Sequence, residues 1–459
     1  MKPLHVLSSL IVFFVIMPYI GYGGLPTDVQ PVAFVLCVAA IPLLVYHRAL
    51  HIPKPALLCI AVLFLSVVGF FAGTAFAERD LFFDARAIFG HLSSIVILVV
   101  FASCLVLLPA TRVAGIADAT LALIYVGFVL NILDLTEWIQ VVVARAEFEW
   151  FDDQARGLTS FFPEQSRLAN QMVLYLVLYW AIGRMNSTRL CLVLAIGALS
   201  GSGQFFINTF VLVLSTIVAA VMTRGQSTGN RFAVVLVLAV SAGFALVIRD
   251  YADDLVELGF PIRGIYAMRE LLIFNLTALG QDNGFLFKIS GLAQGLAAAY
   301  ASPFSLELGA ALYFENDHAA LAAYEGLLTA LFDAGRFPLP ERSYSVFGAW
   351  VTDLKLPGLV LSILFAVSLH RQLSRAAGFS GAVATAFFLT TVFLFLLRSN
   401  TSDPTFWATV AALAMSGALS ARRVAEEMAG DNGALHHEDI SSTTGPVVAP
   451  SVGGSSGVA

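Results

Sequence analysis

Charge is scarce in this chain of 459 residues: Asp, Glu, Lys and Arg make up 12% of it, against a usual ~25% for a soluble globular protein. With 58% hydrophobic residues, so little charge cannot clothe a water-facing surface of this size. Cysteine is scarce too. Cys37, Cys59, Cys104 and Cys191 all fall inside apolar stretches, where thiols without loop partners argue for inert packing and against disulfides or a metal. Patterns of the CxxC, HExxH and phosphate-loop type and a GxGxxG following a strand are missing, so ATP hydrolysis and zinc chemistry lack support. The net charge of −6 is modest, and nucleic acid is not expected as a partner.

What the chain has instead is long apolar runs, such as 4–22, 56–76 and 232–248. About 20 apolar residues wound as helix at ~1.5 Å per residue match the ~30 Å hydrocarbon core of a bilayer. The sequence therefore predicts an all-α, polytopic membrane helix bundle of about twelve transmembrane helices. They lie near 4–23, 30–47, 56–76, 88–108, 113–135, 168–183, 187–202, 205–222, 232–248, 347–369, 380–397 and 404–420. Around Ser200-Gly201-Ser202-Gly203-Gln204 either two spans or one broken helix fits, since the run 190–222 is too long for one comfortable span. The first span shows no small-x-small cleavage pattern and reads as a retained helix, not a signal peptide.

Basic residues give the bundle a direction. With the N-terminus in the cytoplasm, Lys2, Arg48, Lys54, Arg112, Arg184, Arg189, Arg224, Arg231, Arg371, Arg375, Arg422 and Arg423 fall in cytoplasmic loops and ends. The short loops opposite hold Arg79, Arg86, Arg145, Arg156, Arg167 and Arg398. That asymmetry follows the positive-inside rule and predicts both termini inside. The chain then divides into spans one to nine (1–248), a large extracytoplasmic loop (249–346), spans ten to twelve (347–423) and a disordered cytoplasmic tail rich in Gly, Ser, Pro and Ala (424–459). A thirteenth span inside the loop would turn Arg371, Arg375, Arg422 and Arg423 outward and is rejected. Apolar residues at three-to-four spacing in 250–258, 265–279, 285–300 and 318–334 predict short amphipathic helices there, lying on the outer membrane surface or capping the bundle.

The outward segments carry the candidate chemistry. Arg156-Gly157-Leu158-Thr159-Ser160-Phe161-Phe162-Pro163-Glu164-Gln165-Ser166-Arg167-Leu168-Ala169-Asn170 runs straight into the sixth span. Arginine offers a fixed fork of donors suited to phosphate oxygens and stays charged, although Arg167 reads equally as a side chain snorkelling at a helix end. Arg263 and Arg269 form a second basic pair, while Arg336 and Arg342 bracket a proline-stiffened turn and either bind phosphate or anchor it. His318 has the pKa for acid–base work, but a lone loop histidine is more often a surface residue. Asp353 and Lys355 stand at the outer end of the tenth span, where pairing with each other or with a headgroup explains them. Phe148, Trp150, Phe151, Phe161 and Phe162 fit an interfacial aromatic belt and also a sugar-stacking surface.

The segment from Arg156 to Ala169 resembles the arginine-to-PExSxxA stretch of the O-antigen polymerase and ligase superfamily, bacterial membrane enzymes that join glycans carried on polyprenyl pyrophosphate. Ala198-Leu199-Ser200-Gly201-Ser202-Gly203 is similar to that family's serine-rich segment, but the arginine usual just after the second serine is missing where the chain reads Gly203-Gln204. The late outward loop and the entry Asp353-Leu354-Lys355-Leu356-Pro357-Gly358 are similar as well. The ligase branch has a histidine shortly before the span that follows the loop, where this chain reads Arg342-Ser343-Tyr344-Ser345; that favours polymerase over ligase. The resemblance implies a glycosyltransferase of the bacterial inner membrane that polymerises oligosaccharide repeat units without a cofactor or metal. It implies pyrophosphate binding by Arg156, Arg263 and Arg269 and places Glu164 at a polar position of the family motif; Arg167, Arg336 and Arg342 are further basic candidates for the pyrophosphate, and Glu164 or His318 is the candidate proton acceptor. The implied partners are lipid-linked oligosaccharides, membrane lipids, and a chain-length regulator or flippase. The rival expectation is a transporter or lipid-linked glycan flippase, which Asp118, Asp134 and Asn208 in or near spans keep open.

Overall fold

A computed structural model of the chain describes residues 2–21, 31–74, 81–143, 158–163, 165–200, 202–222, 250–254, 257, 266, 269, 285–306, 322–323, 326, 345–374, 381–397, 401 and 403–441. Thirteen helices are assigned among them: α1 Lys2–Ile16, α2 Val32–Tyr46, α3 Lys54–Thr74, α4 Leu81–Leu107, α5 Ala110–Ile132, α6 Thr136–Val142, α7 Gln165–Ala181, α8 Ser187–Ser200, α9 Gly203–Met222, α10 Phe285–Ala301, α11 Val346–Ser374, α12 Gly381–Leu397 and α13 Pro404–Ser441. No strand occurs among the described residues; the one strand-like feature there is an isolated bridge between Ile20 and Val143.

Three helical stretches, Ile88–Leu107, Ala110–Ile132 and Val346–Leu373, are long and apolar enough to cross a membrane. Six further apolar helices are shorter; α1 and α2, at 15 residues each, reach only ~22 Å at 1.5 Å per residue. The exterior is apolar in the manner of a membrane protein: Val35, Phe64, Val126, Val129 and Ile363 are each more than half exposed, while polar side chains such as Gln171, Asn208, Lys355 and Thr390 are buried.

Local sequence explains where helices begin. Asn186 caps α8 by accepting the Arg189 N–H at 2.8 Å, and Ser345 caps α11 by accepting that of Gly348 at 2.8 Å. At α13 an Asp-Pro pair marks the start: the Asp403 carboxylate accepts the Thr405 N–H at 3.1 Å, and Pro404 fills the first helical position, where no N–H is needed. The break at 200–204 separates two helices. Ser202 caps the second, accepting the Gln204 N–H at 3.2 Å, and a Cβ at Gly197 would stand 2.0 Å from the Phe205 ring, so only glycine lets α8 and α9 fold so closely.

Contacts between helices fix their directions. The start of α4 meets the starts of α11 and α13: His91 lies 3.9 Å from Asp353, and a Cβ on Gly90 would come within 2.7 Å of Thr401. The start of α7 meets α13 through Gln171 and Thr405 and meets α9 through Asn170 and Asn208. The ends of α1, α5 and α8 arrive at the same place. Gln171 donates to the Ile16 carbonyl, the Ser160 hydroxyl to that of Ile124, and the Leu158 N–H to that of Leu199 at 3.4 Å. Phe34 of α2 packs on Phe89 of α4, ring centroids 5.0 Å apart.

At the opposite end Arg422 of α13 donates to the Val106 and Leu108 carbonyls that finish α4. His51 ahead of α3 donates to Ser103 there, and Trp180 of α7 packs on Phe387 near the start of α12. Thus α2, α4, α7, α9, α11 and α13 run one way and α1, α3, α5, α8 and α12 the other. α9 and α11 run in the same direction; the span expected at 232–248 lies outside the described residues.

Two elements sit at the centre. Nearly every side chain of α7 is buried, and α13 presents Ala408, Ala411, Ala412 and Ala414, all buried, small residues that let helices approach closely. Around them Trp350, Phe365, Phe395, Phe406 and Trp407 form an aromatic cluster that joins α11, α12 and α13. The helix expected over 285–300 is present as α10 and packs on α11, with Gly295 against Gly348 and Val351. The tail differs from expectation: α13 continues to Ser441, through the good helix formers Ala425-Glu426-Glu427-Met428-Ala429 and on across Gly430-Asp431-Asn432-Gly433, with no proline before Pro446. Of the four cysteines, Cys37, Cys59 and Cys104 are buried and Cys191 is exposed.

Two glycines of α5 make a matched test of this packing. A Cβ at Gly127 would stand 2.2 Å from Ser160 Oγ, whereas one at Gly115 would meet nothing within 4 Å. Gly127→Ala is expected to destabilise the protein by about 1–3 kcal/mol through overpacking. Gly115→Ala should be neutral or stabilising by up to ~1 kcal/mol through helix propensity. Denaturant melts of the two variants in the same detergent check the contrast; equal stabilities would refute it.

Candidate functional site

A group of buried polar side chains lies where α4, α7, α9, α11 and α13 begin. The turn ahead of α7 is fixed first. Ser160 adopts a left-handed backbone, φ 52°, and is held from two sides: its N–H donates to Asn131 Oδ1 at 2.7 Å and its hydroxyl to the Ile124 carbonyl at 2.7 Å. Phe162 is fully buried and meets Tyr19 edge-on at 5.3 Å. Phe161 is buried too, so both phenylalanines serve as packing and neither is open to stack on a sugar. Phe148, Trp150 and Phe151 lie outside the described residues.

This turn delivers Arg167 to the first turn of α7, half-buried, with its charge acting on Asp403. Burial holds the Asp403 carboxyl above its usual range, and the Arg167 charge together with the Phe406 and Thr405 backbone N–H groups pulls against that rise. Beside it, Thr405 donates to Gln171 Oε1 at 3.0 Å. An amide chain continues the network: Gln204 donates to Asn208, and Asn208 donates to Asn170 Oδ1 at 3.1 Å and to the Ala169 carbonyl at 3.3 Å.

A second group lies on α4 and α11. His91, Asp353 and Lys355 are 3%, 2% and 0% exposed, in a bundle where ionisable side chains need partners. α11 is broken at that point: Lys355 has φ 55° and ψ −129°, a strained backbone for a residue with a side chain, costing on the order of 1–3 kcal/mol. Pro357 follows, and Gly358 lies so close to the Trp350 carbonyl that a Cβ would stand 2.1 Å from it. Several buried atoms at this end have no hydrogen-bond partner among the described residues, namely the Gln294 amide, Trp350 Nε1, Thr352 Oγ1 and Gln204 Oε1.

The expected site residues are placed unevenly. Arg156, Glu164, Arg263, His318, Arg336 and Arg342 lie outside the described residues. Arg269 is described, and it pairs with Asp253 at 3.7 Å and lies over the Tyr266 ring at 4.9 Å. Of the expected set, Arg167 is the one found in the buried polar group. His91, Gln171 and Asp403 are not among the expected site residues; the Asp-Pro helix start at 403–404 is the available sequence signal for one of them. No protein-family model matches the chain, and no curated protein matches it either.

The raised pKa of Asp403 has a signed consequence. A carboxyl bound more tightly to its proton in the folded state contributes stability that is greatest below the unfolded value of ~3.9, and loses it as pH rises through the folded value. Asp403→Asn keeps a capping oxygen and removes the titration. The melting temperature of the parent protein in detergent is expected to fall relative to that of the variant as pH is raised from about 4 to about 7; parallel pH profiles would overturn the assignment.

Proposed function

We propose that this chain is a membrane glycosyltransferase that polymerises oligosaccharide repeat units carried on polyprenyl pyrophosphate. The observation that carries the reading is the position of Arg167. It sits on the segment that resembles the polymerase family, and it joins buried polar residues of several helices at one end of the bundle. Arg48, Lys54, Arg112, Arg184, Arg189, Arg371 and Arg422 belong to the other end, which the positive-inside rule assigns to the cytoplasm. The polar end then faces outward, in a bundle of about twelve spans in the inner membrane of a bacterium with both termini cytoplasmic.

In this reading Arg167, with Arg156, Arg263, Arg269, Arg336 and Arg342, holds the donor pyrophosphate. The bond between the donor sugar and the pyrophosphate breaks as the acceptor hydroxyl forms the new glycosidic bond, and fixed cations stabilise the charge that develops on the departing pyrophosphate. Glu164 or His318 takes the hydroxyl proton. The linkage itself supplies the driving force, so the reaction has no need of ATP.

A second reading has an observation of its own. A helix broken at Lys355, with Asp353 and His91 buried beside the break, is the arrangement that transporters use at a substrate or ion site. The two readings separate in cells lacking the native gene, with membrane abundance monitored. Arg167→Ala is expected to lower polymer yield by ~100-fold or more, and Arg167→Lys, which keeps charge but loses the fork, to restore little of it. Full-length polymer from Arg167→Ala at normal abundance would sink the polymerase reading. Loss of lipid-linked units from the outer leaflet in Asp353→Asn would support transport.

A further inference from the structure

The basic end holds a second polar site, remote from the one just described and independent of the proposed polymerase activity. Arg189 binds Asp118 with two bonds, Nε to Oδ1 at 2.9 Å and Nη2 to Oδ2 at 2.6 Å. Tyr179 donates to Asp118 Oδ1 at 2.7 Å, and Arg189 also donates to the Arg184 carbonyl at 2.6 Å and lies over the Tyr179 ring. This pair borders a cavity of about 570 Å³ that Asn186 and Thr188 line on the polar side and Leu121, Tyr125 and Leu192 on the apolar side.

The cavity exists because a long helix meets a short one. α5 has 23 residues and α8 has 14, and their far ends are tied to the same turn, at Ser160 and Leu158. The start of α8 therefore falls short of the start of α5 by roughly 13 Å at 1.5 Å per residue. Asp118, in the third turn of α5, faces this notch with 42% of its side chain open. A carboxylate so placed needs a polar neighbour, because hydrocarbon cannot solvate a charge.

The donor and acceptor inventory selects the ligand. The Asp118–Arg189 pair carries no net charge, so a bare anion gains little. Asp118 keeps an open face for a cation, and Arg189 keeps N–H groups beyond those bound to Asp118 and Arg184. Thr188 is exposed and supplies a hydroxyl. A molecule bearing an ammonium and a phosphate meets both, and the apolar wall takes a hydrocarbon chain. We propose that this notch binds a zwitterionic phospholipid of the ethanolamine class, its ammonium on Asp118, its phosphate against Arg189 and Thr188, and one acyl chain along Leu121, Tyr125 and Leu192.

Native mass spectrometry of the full chain in detergent tests this, using phosphatidylethanolamine and phosphatidylglycerol with identical acyl chains, and glycerophosphoethanolamine as the headgroup without chains. The expected result is retention of phosphatidylethanolamine about tenfold tighter than phosphatidylglycerol, with weak binding of the chainless headgroup. Asp118→Asn should erase the preference. Ala122→Trp, which fills the notch from an exposed position and leaves the ion pair untouched, should weaken phosphatidylethanolamine at least fivefold without changing the melting temperature of the lipid-free protein. Equal retention of the two lipids by the parent chain would overturn the proposal. So would tight binding of the chainless headgroup, or undiminished phosphatidylethanolamine binding by a folded Ala122→Trp variant.

Discussion

The need of a polar group inside an apolar bundle for a partner organises this molecule, and α7 is where that need is met. Asn170, Gln171, Tyr175 and Tyr179 descend along this buried helix, and each bonds to a different neighbour or height. Asn170 reaches α9, Gln171 reaches α1 and α13, Tyr175 reaches Thr120 at 2.7 Å and Tyr179 reaches Asp118. Hydrogen bonds of this kind are individually modest in membrane proteins, ~0.6–2 kcal/mol. Their directional value is larger, because rotating or sliding α7 by one residue would break several at once. Apolar packing alone offers no such discrimination when lipid is as apolar as the helix face.

That same constraint divides the two ends. At the basic end the ladder finishes in a half-open ion pair beside a short helix, so the charge is shared between protein and surroundings. At the other end the groups are enclosed by the starts of several helices. Capping contributes here as well as pairing: Asp403 serves the first turn of α13 and the charge of Arg167 at once. Because one carboxylate has both duties, the position of Arg167 and the entry of α13 into the bundle are coupled, and a ligand that draws Arg167 away would act on α13 directly.

How much of this the sequence disclosed depends on whether the signal was local. Apolar runs anticipated the helices, and Ser200-Gly201-Ser202-Gly203 anticipated the break between α8 and α9, since small residues and a capping serine act within a few positions. The three-to-four spacing over 285–300 anticipated α10. Burial of His91, Asp353 and Asp403 was hidden, because a charged residue at a helix edge reads the same in sequence whether it meets water or several other helices. Phe161 and Phe162 show the converse: their composition suited an interface, and the left-handed turn at Ser160 drove them inward. α13 runs past its apolar part to Ser441, and Gly430-Asp431-Asn432-Gly433 hid that extension because such residues also suit a loop.

Unsatisfied buried atoms occur at several places among the described residues, Ser8, Ser66 and Gln372 included, and a group of them lies at the enclosed end. Lower on the ladder the Tyr175 and Tyr179 hydroxyls donate to Thr120 and Asp118. Near the helix starts, the Gln294 amide, Trp350 Nε1, Thr352 Oγ1 and Gln204 Oε1 are buried with hydrogen-bonding capacity left over among the described residues, each at a cost of about 1–3 kcal/mol. The strained backbone at Lys355 adds to that cost on the same helix as Trp350 and Thr352. A bundle under selection for stability alone would replace such groups with apolar ones of equal volume at little loss. At the same end of the bundle as Arg167, Asp403, His91 and Asp353, they are the groups through which the proposed site would hydrogen-bond a polar ligand.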